Sequence, residues 1–159
     1  MRGGWKVLKM MGLVLGSACQ KDTPTLPQWW EYTAEEKLRR SDLLRQPIIQ
    51  ASAAEVQPYY SDSLGCTFRY PTPEGGVLWV EYFVRHETVR TVSLLWENDS
   101  FPLLMHLYQR LRQAYTLHYG PPRGPLEDLS WEVRDSVRII LRLSPERRYL
   151  HAAFSAIDK

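Results

Sequence analysis

Four histidines, two cysteines and 18 acidic residues are the groups in this 159-residue chain most able to do chemistry. A metal site needs ligands gathered at fixed spacing, such as two His one helical turn apart or paired Cys-x-x-Cys. His86, His106, His118 and His151 show no such pair, and no metal or other cofactor is expected. Cys66 could act as a nucleophile only beside a base and in surroundings that lower its pKa. It alternates with Phe68 and Tyr70 instead, which puts it on the apolar face of a strand as a structural residue. The chain has no G-x-S-x-G elbow, no Gly-rich phosphate loop and no H-E-x-x-H, and its acidic residues are scattered. No catalytic residue is assigned, and the chain reads as a non-enzyme.

Two surface constellations are more informative. Arg134, Arg138 and Arg142 point away from the inferred core on neighbouring strands, and Arg147 and Arg148 extend the cluster at a hairpin tip. The planar fork of Arg suits phosphate or carboxylate groups of an envelope polymer. Glu132 and Glu146 offer the alternative of a salt-bridged, edge-protecting surface. Trp79 and Phe83 alternate against the core-facing residues of their strand, so that sheet is either covered on both faces or shows an apolar patch to a partner. The helix expected to carry Trp29 and Trp30 is the natural cover.

The remaining reactive group is Cys19, in the stretch GLVLGSACQKD. Arg2, Lys6 and Lys9 precede an apolar run from Met10 to Ala18, the order of a secretory signal. The run falls well short of the roughly 20 residues of a membrane-spanning helix. Gly16, Ser17 and Ala18 before the cysteine resemble the lipobox of bacterial lipoproteins, with Leu15 one position further from the cysteine than is usual in that family. The resemblance implies cleavage before Cys19, acylation of its thiol and a membrane as partner through the acyl chains. Within that resemblance, Gln20 as second mature residue implies the outer membrane of a Gram-negative bacterium, facing the periplasm or the cell surface. Two or more acyl chains make a lasting tether. The expected organisation is a signal peptide at 1–18, a lipidated cysteine and Pro-containing spacer at 19–28, and one domain at 29–159.

The chain carries 20 basic and 18 acidic residues, and removing the three basic residues of the leader leaves 17 against 18. This balance gives no signal for a nucleic-acid partner. An acylated Cys19 leaves Cys66 without an intramolecular disulfide partner, so stability must come from a core. With 44% apolar residues, six Trp and nine Tyr, that core is available.

The elements that must position these groups follow from periodicity. Thr33 and Glu36 form a capping box and predict a helix to about Leu44 or Arg45, ended by Pro47. Ser52 and Glu55 form a second box that predicts a short helical turn. Period-two alternation predicts strands around Cys66 to Tyr70, Leu78 to Arg85 and Val92 to Trp96, joined by the turn PTPEGG and a turn near His86 to Thr88. Leu104, Tyr108, Leu111, Tyr115 and His118 recur at helical spacing between Ser100 and Gly120. Three further strands follow, around Trp131, from Val137 to Leu143 and from Leu150 to Ala156.

The pattern predicts an α+β domain with antiparallel strands in two triplets and helices on one face, read as a duplicated helix-plus-three-strand unit of about 50 residues. In size, anchor and architecture it resembles small periplasmic lipoproteins that assist outer-membrane assembly, or tandem-repeat inhibitor domains. The expected function is a lipid-anchored, non-enzymatic module that binds an envelope protein or glycan. A periplasmic hydrolase and a periplasmic inhibitor or immunity protein are the alternatives.

Overall fold

The computed structural model describes residues 24–35, 38–134 and 136–158. The expected signal peptide and Cys19 lie outside the described residues. The elements are α1 (Gln28–Glu31), a 3-10 turn (Arg40–Leu43), α2 (Ile48–Ala54), β1 (Tyr60–Asp62), β2 (Gly65–Pro71), β3 (Val77–Arg85), β4 (Thr88–Glu97), α3 (Phe101–Tyr119), β5 (Asp128–Val133), β6 (Val137–Ser144) and β7 (Tyr149–Ala156). All seven strands form one antiparallel sheet in the order β1-β2-β3-β4-β7-β6-β5. The α+β class and the strands expected from alternation are therefore present, with β1 added at one edge. The two triplets merge into a single sheet where β4 pairs with β7, Leu94 opposite Ala152.

Local chemistry sets the hairpins. His86 and Glu87 both take positive φ, 52° and 61°, in the two-residue turn between β3 and β4. That backbone twist matches the twist of paired strands. At Gly76 φ is +78°, and an added Cβ would lie 2.1 Å from the Glu97 carbonyl oxygen, so only glycine fits. Trp96 Nε1 donates to Thr72 Oγ1 at 3.1 Å and to the Gly75 carbonyl at 3.2 Å, which ties this loop to the core.

One sheet face is buried. Phe68, Leu78, Val80, Tyr82, Val92, Leu94 and Trp96 supply it in the first half, and Trp131, Ile139, Leu141, Leu150 and Phe154 in the second. α3 lays Leu104, Leu107, Tyr108, Leu111 and Tyr115 against β5, β6 and β7. Pro102 sits in its first turn, where a missing N–H costs nothing, and Gly120 with φ 90° ends it. Each such buried apolar side chain contributes about 1.5–3 kcal/mol.

The N-terminal cover differs from expectation. Among the described residues the helix predicted from Thr33 to about Leu44 or Arg45 is not found: α1 ends at Glu31, Tyr32 bridges to Arg39 as in a sheet, and a 3-10 turn begins at Arg40. Thr33 does not cap a helix, since its hydroxyl is buried without a hydrogen bond. The second box fails too, because Ser52 lies inside α2, whose N-cap is Pro47, and Glu55 stands at its C-terminal end. The physical reason is a buried ion pair that overrides local preference. Arg40 is 2% exposed, and its Nε donates to Glu55 Oε1 at 2.8 Å. Its Nη1 donates to the Trp29 and Trp30 carbonyls at 2.6 and 3.1 Å, so it caps α1 from outside. Glu55 also accepts from Tyr70, Tyr82 and the Ala34 N–H at 2.6, 2.7 and 3.1 Å. Burial alone would push the Glu55 carboxyl up, but Arg40 and the two phenols more than offset it and hold it below its ordinary value. Burial, reinforced by Glu55, pushes the Tyr70 and Tyr82 hydroxyls well up, so both remain donors.

Candidate functional site

The face of the sheet opposite the core has no described helix on it. Every strand contributes its outward side chains, and the register fixes which ones meet. Thr67, Glu81, Ser93, Ala153, Ile140 and Ser130 form one row across the sheet. Arg69, Trp79, Leu95, His151, Arg142 and Asp128 form the next. A third contains Phe83, Thr91, Ser155, Arg138 and Glu132.

The β2–β3 end of this face is aromatic. Phe83 is 46% exposed. Trp79 is half-buried, with Tyr59 edge-on at 5.3 Å and the Arg69 guanidinium 5.6 Å from its ring. The expected cover by Trp29 and Trp30 is not found. Trp29 packs 5.1 Å from Trp96 on the opposite, core-facing side of the sheet, because the Arg40–Glu55 pair anchors the N-terminal segment there. Trp79 and Phe83 thus share the outward side of β3, with Glu81 between them.

The β5–β6 end is charged and internally paired. Arg142 meets Asp128 at 2.9 Å, and Arg138 meets Glu132 at 3.6 Å. Arg138 and Arg142 share β6, while Arg134 lies exposed in the turn beyond β5 and Arg148 reaches Asp99 at the far hairpin. The five arginines do not form one stripe, and three of them, Arg138, Arg142 and Arg148, are paired with carboxylates.

Between these ends lies a polar cluster the sequence did not reveal. Ser93 Oγ is 3.3 Å from Glu81 Oε2 and 3.0 Å from His151 Nε2, in a residue only 5% exposed. A carboxylate only accepts, so the arrangement that satisfies both contacts sends the hydroxyl proton to Glu81 and has Nε2–H donate to Oγ. A nucleophilic serine needs the reverse, with the imidazole between hydroxyl and carboxylate. Burial first, and then Arg142, lower the His151 pKa, so the ring is neutral near pH 7. Outward polar residues at period two were its sole trace in the sequence, and these look like any solvated face.

The other candidates are dispersed. His86 is in a hairpin turn, and His106 and His118 are exposed on α3. Cys66 is half-buried, with Ser61 Oγ at 3.3 Å and Ser52 Oγ at 3.7 Å. Among the described residues there is no group of three or more His, Cys, Asp or Glu able to hold a metal, and no helix long and apolar enough to cross a membrane. The chain matches no protein-family model, and no curated protein and no solved structure matches it significantly.

Proposed function

We propose that this chain is a lipid-anchored envelope protein, tethered through Cys19 to the outer membrane facing the periplasm, whose open sheet face binds a partner protein without catalysing a reaction. The observation that carries the reading is the aromatic end of that face, Trp79 and Phe83, left open because the described helical cover lies on the other side. Exposed aromatic side chains on a sheet face with no described helix over it are suited to an interaction site. A protein suits the face better than an anionic glycan. Its Arg138 and Arg142 are matched by Glu132 and Asp128, giving a mosaic of both signs and not a cationic track.

The anchor belongs to the same proposal and is supported by the lipobox-like stretch alone. So does a helix-plus-three-strand duplication, supported by a sheet order in which the last strand of each triplet meets the other. The hydrolase alternative needs a cleft with a poised base, and the Glu81–Ser93–His151 order does not favour it.

Accessibility in the envelope tests the docking face. In a Cys66→Ala background, Phe83→Cys should be shielded from a membrane-impermeant maleimide in outer-membrane vesicles opened to the reagent, yet label fully after purification. Gln113→Cys on the exposed side of α3 should label in both. Equal labelling of position 83 in both settings sinks the docking face. Intact mass tests the anchor separately: a chain starting at Cys19 with acyl groups is expected, and an unprocessed chain refutes it.

A further inference from the structure

Three arginines stand in the outward rows of the open face, and one of them differs from the others. Arg142 lies 2.9 Å from Asp128 and Arg138 3.6 Å from Glu132, so both are matched within the chain. Arg69, exposed on β2, has no carboxylate within ion-pair distance among the described residues. Its guanidinium sits 5.6 Å from the centre of the ring of Trp79, its direct opposite on β3. Glu81 in the adjoining row accepts from Ser93 on β4, on the side away from β2. Tyr59, 67% exposed, stands edge-on to the same indole at 5.3 Å. A Trp, a Tyr and an Arg thus meet at this end of the face, and these are the residue types that contribute most at protein interfaces.

The unmatched charge narrows what can cover these rings. A guanidinium beside an indole is attracted to the ring while its N–H donors stay available at its edges. An apolar surface laid over Arg69 would strip its water and return nothing, which is costly. A carboxylate returns two parallel charge-assisted hydrogen bonds. We propose that this end of the face docks an acidic segment of a partner protein. An Asp, Glu or C-terminal carboxylate of that segment takes the fork of Arg69, and an apolar residue beside it packs on Trp79 and Tyr59. Arg138 and Arg142 already hold carboxylates of this chain, so Arg69 is the arginine of these rows with a fork to give. The inference rests on the reading of the face as a protein-docking surface and adds to it the chemistry of the partner.

Zero-length cross-linking tests this. Arg69→Lys keeps the positive charge and supplies an amine, which a water-soluble carbodiimide joins to a carboxylate only where the two touch. In membrane vesicles, peptide mapping should find position 69 linked by an isopeptide bond to an Asp, Glu or C-terminal carboxyl of a second protein. Gln113→Lys, on the exposed side of α3, should give no such adduct. In the Cys66→Ala, Phe83→Cys background, Arg69→Gln should weaken docking about tenfold or more, read as faster maleimide labelling of position 83 in the vesicles. Arg112→Gln, which removes the same charge from the exposed side of α3, should leave that labelling unchanged. The inference is overturned if no adduct forms at position 69, if the adduct is to a sugar acid, or if Arg69→Gln stays as well shielded as Arg112→Gln. In those cases position 83 remains shielded in the parent background and the docking face stands. Equal labelling of position 83 in vesicles and after purification removes the docking face itself, and this inference with it.

Discussion

The two halves of the sheet are roofed by different physics. Over β5, β6 and β7 lies α3, one 19-residue helix held by an apolar stripe. Over β2, β3 and β4 lie residues 28–35 and 38–54, short helical pieces and turns organised around a buried Arg40–Glu55 pair. The first roof gains stability from each ring and methylene it buries. The second depends on one charged pair whose every lone pair and proton must be matched, because an unmatched charge there has no water to turn to. The first should therefore weaken gradually when trimmed, and the second should fail at a point.

The largest effect is expected from Glu55→Ala, which strands the Arg40 guanidinium and the Tyr70 and Tyr82 hydroxyls. Urea denaturation should show a loss of about 3–5 kcal/mol. An Arg40→Met, Glu55→Leu double variant should recover at least half of it, since no buried charge is then left alone. If the double variant is as unstable as the sum of the singles, the pair is not the organiser we take it to be. Next comes Leu111→Ala in α3, with an expected cost of about 3 kcal/mol from a buried leucine removed and a cavity left. A loss larger than that of Glu55→Ala would erase the distinction between the roofs.

Acid should separate them as well. The folded Glu55 carboxyl lies below its ordinary value of 4.5. The unfolded chain therefore takes up the proton first as pH falls, and the stabilisation is complete above about 4.5 and drains away below it. Glu55→Gln should flatten this acid limb of the stability curve, whereas Leu111→Ala should only lower it. A parallel acid limb in Glu55→Gln would assign the titration elsewhere. The smallest effect belongs to the open face. Arg142 and Asp128 are 45% and 44% exposed, so Arg142→Gln should change stability by about 0.5 kcal/mol or less, reduced further by salt.

The same contrast explains what the sequence could tell. α3 was legible because its apolar stripe, Pro102 and Gly120 all specify one helix with one buried side. The strands were legible because alternation survives wherever one face is buried. Thr33 and Glu36 misled because a capping motif contributes about 1 kcal/mol, less than the roughly 3–5 kcal/mol that burying Arg40 or Glu55 without the other would cost. Nothing in a single sequence separates a charged residue destined for the interior from one destined for water, and the two partners are 15 residues apart. For the candidate surface, the outward placement of Trp79 and Phe83 was readable, but not whether they were covered. That depended on which side of the sheet the N-terminal segment took, which the same hidden pair decides. Ser93 and His151 meet only through the β4–β7 pairing, which local patterns do not encode.

That pairing has a further consequence for how the chain assembles. Each triplet can zip through short hairpins, whereas the seam between β4 and β7 joins positions such as Ser93 and His151, 58 residues apart. Closing so long a loop costs more chain entropy than closing a hairpin, so the seam is expected to form late. On that order, the chain before closure would be two separate ribbons, each with a bare edge able to recruit a stranger. Ala152→Gly in the seam should therefore speed unfolding far more than it slows refolding, and the reverse would place the seam in the folding nucleus. Any chaperone that carries this chain through a crowded compartment has two edges to guard, and the native seam makes each the other's guard.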